Sequence, residues 1–271
     1  MFTKKQVWET YITAQHVDAT VVPQRIAESW DYCSKKNVNP YLSYELDEVP
    51  QPTLTLVRKE LQQVIRLVKD EIFRLSDFFY VKKPLFVLTD AKGVIIWRDG
   101  HHETRDQATS IKFHEGSIWT EDAVGTNAIG VAIRTEQPVV VTQYEHFSKA
   151  SHPFTCTTSP ILDANDHPIA TLTVSTMEHV NESQYTLIAL QVITKNIQNE
   201  FKKEAITTKK RELLEAIGSP VTRGVICDKD NNIVAVSKEF EEESLSKDQN
   251  MLVSKGFNKI TLIFRYFYQS G

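Results

Sequence analysis

The sequence predicts an α+β fold in which helices flank an antiparallel sheet. Two β-rich hairpin patterns, at 84–97 and 159–175, predict the sheet, and helical periodicity at 53–80 and 182–217 predicts the flanking helices. A third hairpin pattern at 223–236 repeats the plan of the first two and suggests a second antiparallel module.

Composition places the chain among ordinary globular proteins. It has 271 residues, 41% hydrophobic content and a net charge of −4, which suit one or two domains and do not favour a nucleic-acid surface. Cys33, Cys156 and Cys227 lie far apart, which argues against a disulfide framework and for a reducing compartment. The N-terminus lacks the apolar core of a signal peptide, and no apolar run approaches the ~20 residues that span a bilayer. We therefore expect a cytoplasmic protein with no membrane partner.

Short helices are predicted for residues 1–50. Pro23 suits the first turn of a helix, where its missing N–H needs no partner. Ile26, Trp30 and Cys33 then follow at i, i+4 and i+7, which puts them on one face.

The next stretch, 53–80, predicts one long amphipathic helix with Thr53 as its N-cap. Its apolar residues alternate spacings of four and three: Val57, Leu61, Val64, Val68, Ile72, Leu75 and Phe79.

Aspartates mark the turns of the hairpins. The tetrads 90–93, 163–166 and 228–231 each begin with Asp, whose side chain bonds its own backbone in a turn. Three hairpins of one plan suggest a recurring module, although three common hairpins can also occur by coincidence.

Helical periodicity returns at 182–217. The predicted buried side consists of Leu187, Ile188, Val192, Ile193, Ile197 and Phe201. A helix of more than 30 residues with modest apolar content usually packs on a partner helix, so we expect a homodimer through the helices at 53–80 and 182–217. The tail 249–271 has no Asp or Glu and is rich in aromatics, which fits either an edge strand or a tail unrelated to the preceding module.

Gly125 and Gly130 have the spacing of a phosphate-binding P-loop, but Val131 and Ala132 replace its Lys and Ser/Thr. The glycines therefore predict a tight turn and a short helix with Thr126 or Asn127 as N-cap, with Gly130 allowing close approach of the helix to a strand. In a second interpretation, Thr126 and Asn127 also face a ligand cavity.

Glu145, His146 and Phe147 follow the predicted strand 139–141, where loop residues can line a pocket. His146 beside a carboxylate suits the binding of a small polar molecule, and a hydrogen-bonded pair that fixes the loop is the alternative. His146, His152 and Cys156 offer too few converging ligands for zinc, so we predict no metal site.

Cys156 has no resolving thiol near it in sequence and is expected to be a buried small residue, with redox sensing as the alternative. Four aromatic residues form either ordinary core or the wall of a ligand cavity: Trp97, Phe113, Trp119 and Phe154. His101 and His102 lie in a polar stretch that predicts a solvated loop.

An ordered series of motifs resembles a known family. WTEDAVGTNAIGVAI, PVVV, YEHF and TCTTSPILDANDHPIATLTVS occur in that order within 119–175. The series resembles the N-terminal sensory region of bacterial sigma-54-dependent transcriptional activators of the acetoin-catabolism regulator type, a region built on a GAF domain. ESWDYCSKKNVNP at 28–40 resembles the family's opening segment, and the hairpin at 223–236 resembles the start of the PAS domain that often follows.

The resemblance implies four regions: an N-terminal helical segment at 1–52, a GAF sensory domain with its flanking helices at 53–203, a helical linker at 204–220, and a partial PAS-like segment with an atypical tail at 221–271. The family also carries an ATPase module with a true P-loop and a helix-turn-helix, and neither is found in these 271 residues. We therefore expect the sensing half of a truncated activator, without ATP hydrolysis or direct DNA binding of its own.

The implied function is binding of an acetoin-like small molecule, without a cofactor or enzymatic activity. The ligand-binding candidates are Trp119, Thr126, Asn127, Glu145, His146, Phe147 and Cys156. Two alternatives remain open: an enzyme like the GAF-type methionine-sulfoxide reductases, which would use Cys156, and an inert dimerisation fragment with a collapsed cavity.

Overall fold

The computed structural model describes residues 2–17, 20–41, 46–80, 83–177, 183–217, 225–227, 233–236 and 264–265. The chain divides into two compact units, 1–202 and 203–271. Within these described ranges, no helix is both long enough and apolar enough to cross a membrane.

The first unit is a sheet with helices on both faces. Its early helices are α1 (Lys4–Ala14), α2 (Gln24–Lys35), α3 (Gln51–Glu60), α4 (Gln62–Arg74) and α5 (Ser76–Tyr80). Then follow β1 (Leu85–Asp90), β2 (Ile95–Gly100), α6 (His102–Ser110), α7 (Glu121–Val124), α8 (Ala128–Thr135), β3 (Val139–Thr142), β4 (Thr155–Leu162) and β5 (Pro168–Thr176). Helix α9 (Ser183–Ile217) begins in the first unit and ends in the second.

The sheet is five-stranded, antiparallel throughout and ordered β2-β1-β5-β4-β3. The predicted α+β class and both predicted hairpins of this sheet are confirmed. Asp90 accepts the backbone N–H groups of Lys92 and Val94, and Asp163 accepts those of Asn165 and His167. Side-chain bonds from aspartate therefore close both turns, as the turn chemistry requires.

Alternation along β1 separates two hydrophobic cores. Leu85 and Val87 belong to a cluster with α1, α2, α7 and α8, whereas Phe86 and Leu88 belong to a cluster with α3, α4 and α9. We name these sides the α1/α2 face and the α4/α9 face. Because successive side chains of a strand point to opposite faces of the sheet, β1 contributes side chains to both cores.

The N-terminal helices are part of the α1/α2 face. Ile26, Trp30 and Cys33 of α2 are buried on one side, as their spacing predicts. Pro23 immediately precedes α2, which begins at Gln24. Helices α1 and α2 therefore share a hydrophobic core with the sheet.

The prediction of one continuous helix over 53–80 is wrong. The chain forms α3, α4 and α5, with backbone breaks at Leu61 and Leu75. The first of these helices begins at Gln51 with Pro52 in its first turn, so Thr53 is not its N-cap. Neither break carries a Gly or Pro, and the apolar spacing continues through both, so no local signal marked them.

Helix α9 is confirmed over nearly its whole predicted length, but part of its predicted buried side is wrong. Leu190, Ile193 and Ile197 are buried in the α4/α9 core. Ile188 and Val192 are 57% and 50% exposed, because they lie on the opposite side of the helix. The helix therefore has apolar residues on two sides, and periodicity alone did not separate them.

His102 is exposed, as predicted, but the prediction of a loop at His101 and His102 is wrong, because His102 begins helix α6. In the second unit, the predicted third hairpin is confirmed as the antiparallel strands β6 (Val225–Cys227) and β7 (Ile233–Val236). Strand β8 (Phe264–Arg265) pairs parallel with β6 at the edge of this sheet. The turn 228–231 and most of the tail 249–271 lie outside the described residues.

Candidate functional site

The glycine-spaced motif folds as a turn between α7 and α8. Gly125 has φ +78°, and a Cβ there would lie 2.7 Å from the side chain of Phe147. Asn127 is the N-cap of α8, because its Oδ1 accepts the N–H of Gly130 at 2.9 Å. Asn127 Nδ2 donates to the Gly125 carbonyl at 2.9 Å, so this side chain fixes both ends of the turn.

Gly130 permits a close approach, but not to a strand as predicted. A Cβ at Gly130 would lie 2.6 Å from the backbone nitrogen of Glu121, at the start of α7. The second glycine of the motif therefore lets two helices meet, and the sheet is not involved in that contact.

A buried carboxylate joins these helices to α2. Glu121 is 3% exposed and accepts hydrogen bonds from the Ser29 hydroxyl and the Arg134 guanidinium. The Thr126 hydroxyl lies 2.6 Å from that of Ser29 and 3.5 Å from Cys33 Sγ. Thr126 thus belongs to a network that attaches α2 to the motif. The Glu121 carboxylate also holds the pKa of Arg134 above its ordinary value.

The segment Glu145–Phe147 is held by three aromatic ring N–H groups. Trp30 Nε1 donates to the Glu145 carbonyl at 2.8 Å, and Trp8 Nε1 donates to the Phe147 carbonyl at 3.1 Å. His152 Nε2 donates to the carbonyl between them, that of His146, at 3.3 Å. Three consecutive buried carbonyl groups are therefore satisfied by side chains from elsewhere in the fold.

The side chains of this segment point to different partners. Glu145 accepts from Lys4 Nζ at 2.5 Å and from the Thr142 backbone N–H at 2.7 Å. His146 donates from Nδ1 to the Gln143 carbonyl at 2.9 Å. The predicted fixing of this loop by hydrogen bonds is present, but the Glu145 carboxylate bonds α1 and β3 and is not the partner of His146.

Burial keeps His146 neutral. The ring is 1% exposed, and desolvation lowers its pKa from 6.5 to about 4. Since Nδ1 carries the proton in its bond to Gln143, Nε2 is a hydrogen-bond acceptor. His152 is neutral for the same reason, with its pKa lowered to about 4.

His146 lines a small internal cavity on the α1/α2 face. The remaining lining residues are Ile111, Phe113, Trp119, Asn127, Ala128, Ile129, Ser151, Phe154, Cys156 and Thr173. The space open to the centre of a water molecule is about 10 Å³, which is close to the minimum for one water. A second cavity of about 20 Å³ shares Ile111, Trp119 and Ser151 with the first and is lined also by Leu46, Val124, Ser148 and Ala150.

The structure brings four of the predicted site residues together at this cavity: Trp119, Asn127, His146 and Cys156. Phe113 and Phe154 also line it, whereas Trp97 belongs to the α4/α9 face and is not part of the wall. The other three candidates lie around the cavity: Thr126 bonds α2, Glu145 bonds α1, and Phe147 packs on Gly125.

Sequence reasoning missed the apolar Ile111 and the strand residue Thr173 in the cavity lining, and it missed Trp8 as a donor to the loop. For Trp8, the available signal was its helical spacing with Val7, Tyr11 and Ile12, which marks one apolar face of the first helix.

Cys156 has no features of a nucleophile. Burial raises the pKa of its thiol to about 12, and its Sγ lies 3.2 Å from the Ser175 hydroxyl. Burial likewise raises the pKa of Cys33 to about 11. Among the described residues, no group of three His, Cys, Asp or Glu side chains is arranged to hold a metal ion.

Family models place the site in a known domain. The model described as GAF domain matches residues 83–200, which include the whole sheet, the cavity and the first half of α9. The chain contains a GAF domain. The fold agrees with the N-terminal region of DhaR in the E. coli DhaR(N)-DhaL complex, with a TM-score of 0.67 and 17% identity over 80% of this chain and 76% of that chain.

Two curated relatives of this GAF-containing chain are regulators named for acetoin metabolism. It is 36% identical over 156 residues to AcoR, the acetoin dehydrogenase operon transcriptional activator of Bacillus subtilis. The aligned region covers 58% of this chain and 26% of AcoR. It is 27% identical over 169 residues to the acetoin catabolism regulatory protein of Cupriavidus necator. Here the aligned region covers 62% of this chain and 25% of that protein. The chain thus spans about a quarter of the length of both relatives.

Proposed function

We propose that the GAF domain is the sensory module of a sigma-54-dependent transcriptional activator and binds a small uncharged metabolite on the α1/α2 face. The observation that carries the proposal is buried His146, which lines a largely apolar cavity and is neutral, so that its Nε2 has acceptor character. A hydroxyl group of the ligand would donate to Nε2, and methyl groups would contact Phe113 and Phe154. Hydroxyketones and diols of the acetoin type have this chemistry.

Charge excludes one class of ligand. No Lys or Arg is among the described residues that line the cavity, and burial keeps His146 uncharged. A carboxylate or phosphate would therefore lose its hydration without gaining a cationic partner. We expect neutral compounds to bind more tightly than their carboxylate analogues.

The ligand needs more room than the closed cavity has. Ile111, Trp119 and Ser151 line both small cavities, and we propose that displacement of the Trp119 ring joins them into one site. We propose that the ligand selects this open arrangement from a closed majority. The alternative function, an inert dimerisation module, is favoured by the water-sized cavity and predicts that no compound binds.

Signalling and assembly belong to the same proposal. We propose that the chain pairs with a second copy through its long helices and passes the state of the cavity to an output module. Tyr185, Ile188 and Val192 support pairing, because they form an exposed apolar stripe at i, i+3 and i+7 of α9.

Thermal unfolding against a panel of hydroxyketones, diols and their carboxylate analogues tests the proposal. A compound at 100 times its Kd stabilises the folded state by about 2.7 kcal/mol, which raises Tm by several degrees. The variant His146→Leu should lose the shift, and Trp97→Phe, on the opposite face, should keep it. If no compound shifts the Tm of the wild-type protein, the sensor proposal is wrong and the dimerisation module stands.

A further inference from the structure

The cavity-lining His146 lies between two peptide groups that are bonded to the N-terminal helices. The Glu145 carbonyl accepts from Trp30 of α2, and the Phe147 carbonyl accepts from Trp8 of α1. The backbone on either side of the ligand-facing ring is therefore attached to a different N-terminal helix, and both bonds are buried.

A further pair of bonds attaches α1 to the same segment. Lys4 Nζ donates to Glu145 Oε1 at 2.5 Å and to Thr142 Oγ1 at 2.9 Å. The lysine side chain is 41% exposed, whereas the carboxylate is 4% exposed. Detachment of α1 would thus leave Glu145, the Phe147 carbonyl and the Trp8 indole without these partners.

The two helices also bond each other. Tyr11 donates to Asp31 at 2.7 Å, and the rings of Tyr11 and Trp30 lie 5.0 Å apart. Because α1 and α2 share these contacts, loss of one indole bond should weaken the docking of both helices. A displacement of Glu145–Phe147 by a few tenths of an ångström would strain both indole bonds together.

We propose that the docking of α1 and α2 is thermodynamically linked to occupancy of the cavity through the segment Glu145–Phe147. The linkage rests on the proposed function for the identity of its ligand. It adds that ligand binding is regulated by whether α1 and α2 are docked. Docked N-terminal helices hold His146 in place for the ligand, and by reciprocity the bound ligand holds the helices in place. Trp8 and Trp30 are positioning residues that act on the ligand through His146.

The linkage can be tested first without any ligand. Cys156 lines the cavity and is buried, so its alkylation by iodoacetamide, followed by peptide mass spectrometry, reports opening of the site. Trp8→Phe removes the indole donor and keeps an aromatic ring. We expect alkylation of Cys156 to become roughly tenfold faster, since a buried carbonyl loses its partner. Trp97→Phe, the matched control on the other face, should alkylate at the wild-type rate.

Hydrogen exchange provides the second readout. Exchange of the peptide 4–14 should be faster in Trp8→Phe, and saturating acetoin, used as the probe, should slow it several-fold in the wild-type protein. Faster exchange of α1 with wild-type alkylation of Cys156 would show that the helix opens independently, and the linkage would be wrong. If Trp8→Phe does not fold, Lys4→Met, at a half-exposed position, replaces it with the same expectation.

The two proposals fail in different ways. If acetoin and the related compounds bind nowhere, the sensor function fails, and the alkylation experiment still decides whether α1 controls the cavity. If acetoin binds but Trp8→Phe and Lys4→Met both leave its affinity and Cys156 alkylation unchanged, the linkage fails while the sensor function stands.

Discussion

The two faces of the sheet use their buried polar groups differently. On the α4/α9 face, Leu88, Ile96 and Leu172 lie in a core of aliphatic and aromatic side chains, and its buried polar bonds, such as those of Asn196 to Glu71 and of Thr194 to Ser159, attach α9. On the α1/α2 face, the apolar core includes buried polar groups, of which Glu121 and His146 have directional hydrogen bonds. Apolar packing tolerates exchange of similar side chains, whereas hydrogen bonds fix positions to a few tenths of an ångström. Since buried His146 lines the cavity on the α1/α2 face, that face is the one expected to carry the ligand.

The largest effect should come from the α4/α9 face and should not affect the site. Leu172→Ala removes a fully buried side chain from the middle of the sheet and should lower the free energy of unfolding by about 3–4 kcal/mol. Urea unfolding measures this loss. The Tm shift produced by a bound hydroxyketone should remain as in the wild-type protein. If the shift disappears from a variant that is still folded, the two faces are not separable.

The next effect is a dependence of stability on pH that belongs to the α1/α2 face. Because the pKa of His146 falls from 6.5 to about 4 on folding, the unfolded chain binds more protons between these values. The free energy of unfolding should therefore decrease as the pH falls through this window, by up to about 3 kcal/mol for this residue. The urea midpoint, followed from pH 7 to pH 4.5, measures the decrease.

A matched variant separates His146 from other titrating groups. The lowered pKa of His152 acts in the same direction, and the raised pKa of buried Asp90 acts in the opposite direction at the acid end. His146→Gln should reduce the slope between pH 6.5 and pH 4.5 through its own loss and through a smaller lowering of the pKa of His152, which the charge of His146 also lowers, while the Asp90 contribution stays in place. An unchanged slope would show that His146 is not buried in its neutral form.

A smaller effect should follow from the network that joins α2 to the glycine-spaced motif. Glu121→Gln keeps the shape of the side chain and removes the charge that pairs with Arg134, at a cost of about 2 kcal/mol in unfolding free energy. The Arg134 side chain is 34% exposed, so water can solvate its charge and limit the loss. Glu48→Gln, at an exposed carboxylate paired with Lys112, should change the stability by less than about 0.5 kcal/mol. Equal losses in the two variants would contradict a special role for the buried network.

Sequence reasoning predicted the parts of the fold that depend on local chemistry. Asp90 and Asp163 close their turns through bonds to residues two and four positions ahead, so both hairpins could be inferred from short stretches. The N-cap role of Asn127 is equally local, since its partner Gly130 is three residues away. The breaks of the helix 53–80 could not be inferred, because Leu61 and Leu75 continue its apolar pattern.

The site was predictable in residue type more than in position. Trp97 and Trp119 are equivalent as sequence features, and only the path of the sheet places them on opposite faces. The bond from Ser29 to Glu121 joins residues 92 positions apart, and that from Trp8 to Phe147 joins residues 139 apart. Such pairs depend on the docking of helices, which no spacing in the sequence encodes. The roles of the seven candidate residues in ligand binding stay predictions.

The smallest effect on the stability of a single protomer should be the most informative about assembly. Val192 is half exposed on the outer side of α9, so Val192→Lys should change the unfolding free energy of the monomer by no more than about 0.5 kcal/mol. If α9 pairs with a second copy through Tyr185, Ile188 and Val192, the same change places a charge in that interface and should shift the dimer towards monomer in analytical ultracentrifugation. Met177→Lys, at a comparably exposed apolar residue after the last strand of the sheet, should leave the dimer intact. If the Val192→Lys protein sediments like the wild type, the exposed stripe of α9 is not part of the dimer interface. The apolar residues of α9 that matter would then be those on its inner side, such as Leu190 and Ile193, which pack in the α4/α9 core.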